Sequence, residues 1–160
     1  MASTLSTDNI RGATGTSINI TGAALNSSSF TSAIFESANV VAAAGSGTIN
    51  VDLLDKSIMY FTSNATSNAT INFRGNVNNT LNTTLAVGQV ATSIIMLTQG
   101  ATAYLANVYQ IDGSTVTPRW QSGSAPTAGS ANSIDIVSVT IVKTASTPTY
   151  TMLASQTQFK

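Results

Sequence analysis

Ile134-Asp135-Ile136-Val137-Ser138-Val139-Thr140-Ile141-Val142-Lys143-Thr144 is the stretch that decides the fold. β-Branched residues dominate it, and such side chains pack well on a pleated surface while losing rotamer freedom in a helix. It reads as a strand, and much of the chain is built the same way. Thr48-Ile49-Asn50-Val51-Asp52-Leu53 puts Ile49, Val51 and Leu53 on one face and polar side chains on the other. Residues 57–62 and 69–74 follow as strands, and in the second Ile71 and Phe73 share a face. Residues 93–97 (Ser-Ile-Ile-Met-Leu) are almost all apolar, as in a fully buried central strand. A long strand over 102–111 runs into Asp112-Gly113, the pair that favours a tight two-residue hairpin, and the return strand is expected over 115–120. Residues 122–133 are rich in Gly, Pro, Ser and Asn and read as a loop. Past residue 144, a last strand over 150–154 returns after Pro148.

Strong helix formers are scarce, with one Glu (Glu36) and three Lys in the chain. Regularly spaced strands joined by short polar turns predict an all-β fold, an antiparallel β-sandwich or jelly roll. Residues 30–44 fit either a short helix or an edge strand, and no internal repeat is evident. Residues 1–30 differ from the rest. Apart from 17–20 they hold little to bury, and Asn26-Ser27-Ser28-Ser29 is linker-like. They are expected to form an extended attachment arm that becomes ordered against a partner, with the β-sandwich domain over 31–160.

Composition narrows the function. The chain has no His and no Cys, six Lys plus Arg and six Asp plus Glu, while 60 of its 160 positions are Ser, Thr or Asn. Acid–base catalysis needs a group that titrates near neutral pH, and nucleophilic Ser or Thr needs a base beside it. Few such groups are present, so the reading is non-enzymatic, with no cofactor and no metal. Without Cys there is neither a disulfide framework nor a thiolate zinc site. Six scattered cations do not make the basic stripe of a nucleic-acid-binding surface. No apolar run approaches the ~20 residues of a membrane helix, and the N-terminus has no signal-peptide pattern. Neither membrane nor nucleic acid is expected as a partner. Zero net charge with 42 % hydrophobic residues favours association with copies of itself or with neighbouring proteins.

Individual candidates for chemistry are few. Asp52 and Asp55 lie close together, but on a polar strand face and in the turn after it. Asp112 fits its hairpin, since Asp tolerates the left-handed backbone there. Asp135 interrupts an apolar strand near its start, where it can bond the adjacent loop backbone. Lys56, Lys143 and Lys160 are isolated. Six N-x-S/T triplets, beginning at Asn19, Asn26, Asn64, Asn68, Asn78 and Asn82, are read as chance products of the composition. Trp120, the single Trp, is either a stacking platform for a sugar ring or a core or interface anchor. Tyr104 and Tyr109 are expected on opposite faces of one strand, so one at most belongs to the core. These three aromatics are the candidate ligand-stacking residues.

Two stretches carry a resemblance. Ala2-Ser3-Thr4-Leu5-Ser6-Thr7-Asp8-Asn9-Ile10-Arg11-Gly12-Ala13-Thr14-Gly15 looks like the opening of tail-fibre-type proteins of tailed bacteriophages, marine phages in particular. The second is similar to a C-terminal β-domain of such virion proteins. There an apolar strand ends in Gln99-Gly100, followed by Trp120, Gly123 and Pro126-Thr127, then by Ile134-Asp135-Ile136, with Tyr150 and Phe159 at the close. The resemblance implies a trimeric β-sandwich on the virion surface, attached to capsid or tail proteins through the N-terminal arm. It leaves no room for the repetitive shaft of a long fibre, so a short fibre, a fibre tip or a capsid decoration protein is expected. A host-receptor or carbohydrate-binding module at a fibre tip is the alternative.

Overall fold

Thr48-Ile49-Asn50-Val51 recurs 22 residues later as Thr70-Ile71-Asn72-Phe73, and the protein stacks one copy directly on the other. The computed structural model describes residues 35–160, in which Glu36–Lys160 forms one unit. The expected arm over residues 1–30 lies outside the described residues. The elements in chain order are β1 (Ala38–Ala44), β2 (Gly47–Asp52), β3 (Ile58–Ser63), β4 (Ala69–Arg74), α1 (Leu81–Thr84), β5 (Val90–Thr98) and β6 (Ala106–Ile111). Then come β7 (Ser114–Thr115), β8 (Arg119–Trp120), β9 (Ile134–Ala145) and β10 (Thr149–Phe159). A large sheet has the order β1-β3-β5-β9-β10-β8, and a small one the order β2-β4-β6-β7.

The all-β expectation holds, but the antiparallel pairing does not. β1–β3, β3–β5, β2–β4 and β4–β6 all pair in parallel. The first six strands therefore alternate between the sheets, and each consecutive pair forms one of three stacked coils. Antiparallel pairing enters with the β6–β7 hairpin and with β9, which pairs both β5 and β10. The short connections that read as hairpins are mostly corners carrying the chain to the opposite sheet. Parallel neighbours need a crossover, and here the crossover is a strand of the other sheet.

The corners are stacked as tightly as the strands. At the first, Gly45 has no space for a Cβ, which would collide with the Leu97 side chain. The next residue, Ser46, uses its Oγ to accept the backbone N–H groups of Thr66 at 2.8 Å and Ser67 at 3.2 Å from the coil above. Asn68 repeats the device one coil further on, its Oδ1 accepting the Leu105 N–H at 2.9 Å.

Alternation fills the space between the sheets. Ile49, Ile71 and Tyr109 lie in one inward row of the small sheet, and Val51, Phe73 and Ile111 in the next. Met59, Phe61, Ile95, Leu97, Val137, Val139, Ile141 and Met152 face them from the large sheet, and all belong to one buried cluster. Each large side chain so buried contributes about 1.5–3 kcal/mol of transfer free energy. Outward positions of the small sheet form polar rows: Asn72 donates to Asn50 Oδ1 at 2.8 Å, and Arg74 grips the Asp52 carboxylate with two nitrogens.

Several boundaries differ from the sequence reading. The repeat is faint in the sequence because its copies carry different flanks and unequal spacing. The strand expected over 102–111 starts at Ala106, because the Gln99 side-chain amide grips the Tyr104 backbone on both sides, at 2.9 Å each, and holds this segment as a corner. The return strand over 115–120 divides, β7 pairing with β6 and β8 crossing to β10. Residues 93–97 do not sit between two covered faces, since Ser93, Ile95 and Leu97 are buried while Ile94 is exposed. The ambiguous 30–44 segment supplies the edge strand β1. Truncating Ile71 in the middle coil to Ala should lower unfolding free energy by about 2–5 kcal/mol in chemical denaturation. Thr48→Ala on the solvent face should change it by less than about 1 kcal/mol.

Candidate functional site

Trp120 enters the large sheet on β8, opposite Ala154 of β10. Ala154 faces the core, so Trp120 points inward and its neighbour Arg119 outward. The indole meets Tyr109 edge to face, with ring centroids 5.5 Å apart and planes at 75°, a favoured aromatic geometry. Tyr109 is 2 % exposed, donates its hydroxyl to the Ala106 carbonyl at 2.9 Å, and has its pKa pushed well up by burial. It is a core residue. Trp120 is half-buried and also walls a surface cleft of about 540 Å³. Gln121, Ser122, Gln156 and Gln158 line the cleft with it, and no charged side chain does. An indole beside amides and hydroxyls suits a neutral, polyhydroxylated ligand, whose ring stacks while its hydroxyls bond.

The loop that gives Ser124, Pro126 and Ala128 to the cleft is anchored at its far end by Asp135. This carboxylate is 2 % exposed and accepts the Ser130 N–H and the Ser133 hydroxyl, each at 3.1 Å. Gly129 packs so closely that a Cβ there would lie 2.7 Å from both Asp135 Oδ2 and the Tyr104 carbonyl. The loop over 122–133 is thus moulded around one buried carboxylate, and Asp135 bonds the adjacent loop as its position in the sequence suggested. Tyr104 sits behind this loop, in the Gln99 corner, and does not line the cleft. Of the three aromatic candidates, the structure joins Trp120 to Tyr109 and keeps Tyr104 apart.

Asp52, Arg74, Asp112 and Lys143 are engaged with the backbone or with each other. Asp112 adopts the expected left-handed turn with Gly113, at φ of 50° and 79°. Its carboxylate also accepts the N–H groups of Leu81 at 2.7 Å and Asn82 at 3.0 Å. At the other end of α1, buried Lys143 donates to the carbonyls of Asn82 at 2.6 Å and Leu85 at 2.8 Å. A four-residue helix is thus fixed by an anion at its N-terminus and a cation at its C-terminus, as the helix dipole favours. Thr80 adds a side-chain cap by accepting the Thr83 N–H at 3.1 Å. The bidentate bond to Asp52 holds the Arg74 pKa above its ordinary value, and Asp55 lies exposed in the turn beyond it. The roles of Arg74, Lys143, Gln99, Gln156 and Gln158 were not found from sequence. Arg74 had a signal, since it follows Asp52 by the same 22 residues that separate Asn72 from Asn50.

A second cleft, of about 440 Å³, lies where Asn82, Asp112, Val116 and Tyr150 converge. Asn82 Oδ1 and the Tyr150 hydroxyl are closed off from solvent there without a hydrogen-bond partner. Burial, and secondarily the Asp112 charge, pushes the Tyr150 pKa up. Among the described residues no group of three or more carboxylates could hold a metal ion, and no helix is long and apolar enough to cross a membrane. No protein-family model matches the chain, and neither a curated protein nor a solved structure matches it. Asp135→Ala should cost about 1–3 kcal/mol by stranding the loop donors and should speed amide exchange at Ser130. Asp55→Ala should leave both unchanged.

Proposed function

We propose that this chain is a non-enzymatic structural protein of a tailed-bacteriophage virion. It acts there as a short fibre or capsid decoration protein that presents its β-body at the particle surface and assembles as a homotrimer. The observation that carries the non-catalytic part is how the scarce charges are used. Asp52 is paired with Arg74, Asp112 and Lys143 clamp the two ends of α1, and Asp135 shapes a loop. Each of these groups is committed to holding backbone or a partner charge, and a catalytic acid or base must instead face a substrate. The virion assignment rests on the resemblance of residues 2–15 and of the segments around Trp120 and Ile134 to phage fibre proteins. Stacked coils with hydroxyl- and amide-rich outer rows fit a part that stays exposed on a particle without relying on charge.

A second reading is favoured by the cleft beside Trp120. Its uncharged lining of amides and hydroxyls next to an indole supports a receptor-glycan site at a fibre tip. The two readings are compatible in one virion protein and separate in experiment. Light scattering on the full chain at micromolar concentration should give three times the 16.4 kDa of one chain, and antibodies to it should label intact particles of the encoding phage. A monomer together with unlabelled particles would refute the structural reading. Binding on a glycan array that is lost in Trp120→Ala, with thermal stability retained, is the result expected of the glycan site.

A further inference from the structure

We infer that the outward face of the large sheet is the surface through which copies of this chain meet, an assignment that rests on the self-associating structural role above. The burial alternation fixes which side chains form this face. On β9, Val137, Val139 and Ile141 are buried, so Ile134, Ile136, Ser138, Thr140 and Val142 point out. Strand register then aligns cross-sheet rows. Val40, Tyr60, Met96, Ile136 and Thr157 form one, and Ala38, Ile58, Ile94, Ser138 and Ser155 the next.

Three properties of the face point to another copy as its occupant. It carries many large apolar side chains among its Ser and Thr, where a solvated sheet face would be mostly polar. Of the nine exposed large hydrophobic residues among those described, five lie on it: Val40 at 64 %, Val90 at 54 %, Ile94 at 36 %, Leu153 at 46 % and Phe159 at 54 %. Val40, Tyr60, Met96 and Ile136 adjoin along one row, and a contiguous apolar patch of this kind marks an interaction surface.

It also carries almost no charge. No outward position on β1, β3, β5, β9 or β10 is Asp, Glu, Lys or Arg, and Arg119 on the short strand β8 stands alone at the rim. The two charged residues of β9, Asp135 and Lys143, both point into the core. Depletion of charge is what sets the core of an interface apart from ordinary surface. A face with so little charge can meet its own copy with little like-charge repulsion.

Its size fits as well. Five strands about 4.8 Å apart, with nine residues at about 3.3 Å each, present about 24 by 30 Å, or about 700 Å². A standard stable interface buries about 800 Å² per partner, so the sheet face alone nearly suffices. In the homotrimer three such faces line the threefold axis, each in contact with the other two.

The test uses the full chain with Ile94→Lys and Leu153→Lys, singly and together, with Leu54→Lys as a control at an exposed apolar position in the turn after β2. Mass from light scattering across a concentration series is the readout. The expected result is that the double variant dissociates to monomers, with assembly weakened at least ~100-fold by buried like charges, while Leu54→Lys assembles like the parent. Should the Lys variants lose their fold, Ile94→Thr with Leu153→Thr keeps strand-compatible side chains and should weaken assembly in the same direction. An assembly that survives all of these substitutions would overturn this surface and leave the self-associating role standing. A parent chain that stays monomeric throughout the series would overturn both.

Discussion

The structure depends on in-register parallel stacking of one coil on the next. A parallel strand leaves its N–H and C=O groups directed sideways, and each unsatisfied buried group is costly. β4 therefore needs β2 on one side and β6 on the other, as β3 needs β1 and β5. The same stacking brings Ile49, Ile71 and Tyr109 into one row and Val51, Phe73 and Ile111 into another. Since successive strands of the chain belong to opposite sheets, a single coil encloses no core by itself. The fold is cooperative along the stack, and the β9–β10 hairpin completes it by extending the large sheet past the last coil.

Much of this was legible in the sequence, for a definite reason. Two-residue alternation reports which face of a strand is buried, and so strands β2, β4 and β9 were placed to within a residue or two. Asp112-Gly113 reports a backbone conformation, and the turn is where it was expected. Alternation says nothing about which strand is the neighbour, so the parallel order was invisible from it. The clue to that order was the recurrence of Thr-Ile-Asn at 48 and 70, with Asp52 and Arg74 following in step. Helix α1 carried no periodic signal. Leu81-Asn82-Thr83-Thr84 is helical because Asp112 and Lys143, 31 and 61 residues away from their partners in the helix, hold its two ends.

The same distinction applies to the candidate site. Trp120 was singled out because it is the only Trp, but its double role could not be read from its neighbours in sequence. It anchors against Tyr109 in the core and also walls a polar cleft, because β8 crosses to the large sheet and turns the indole inward. Gln156 and Gln158 beside it come from β10, more than thirty residues away, and no local motif joins them to Trp120. Sparse charge also takes on a specific meaning. Five of the few charged side chains, Asp52, Arg74, Asp112, Asp135 and Lys143, hold backbone or one another, and the outward face of the large sheet carries only Arg119, at its rim.

The chain contains no cysteine, so paired substitutions read the stacking register without background. Asn50 and Asn72 are register partners on the outward face of the small sheet. Neighbouring strands lie about 4.8 Å apart, within the ~4.4–6.8 Å that a disulfide spans. Under mild oxidation Asn50→Cys with Asn72→Cys should cross-link rapidly and almost completely, whereas Thr48→Cys with Arg74→Cys, two rows out of step, should not. Equal cross-linking of both pairs, or none in the Asn50 and Asn72 pair, would contradict parallel in-register coils and the account built on them.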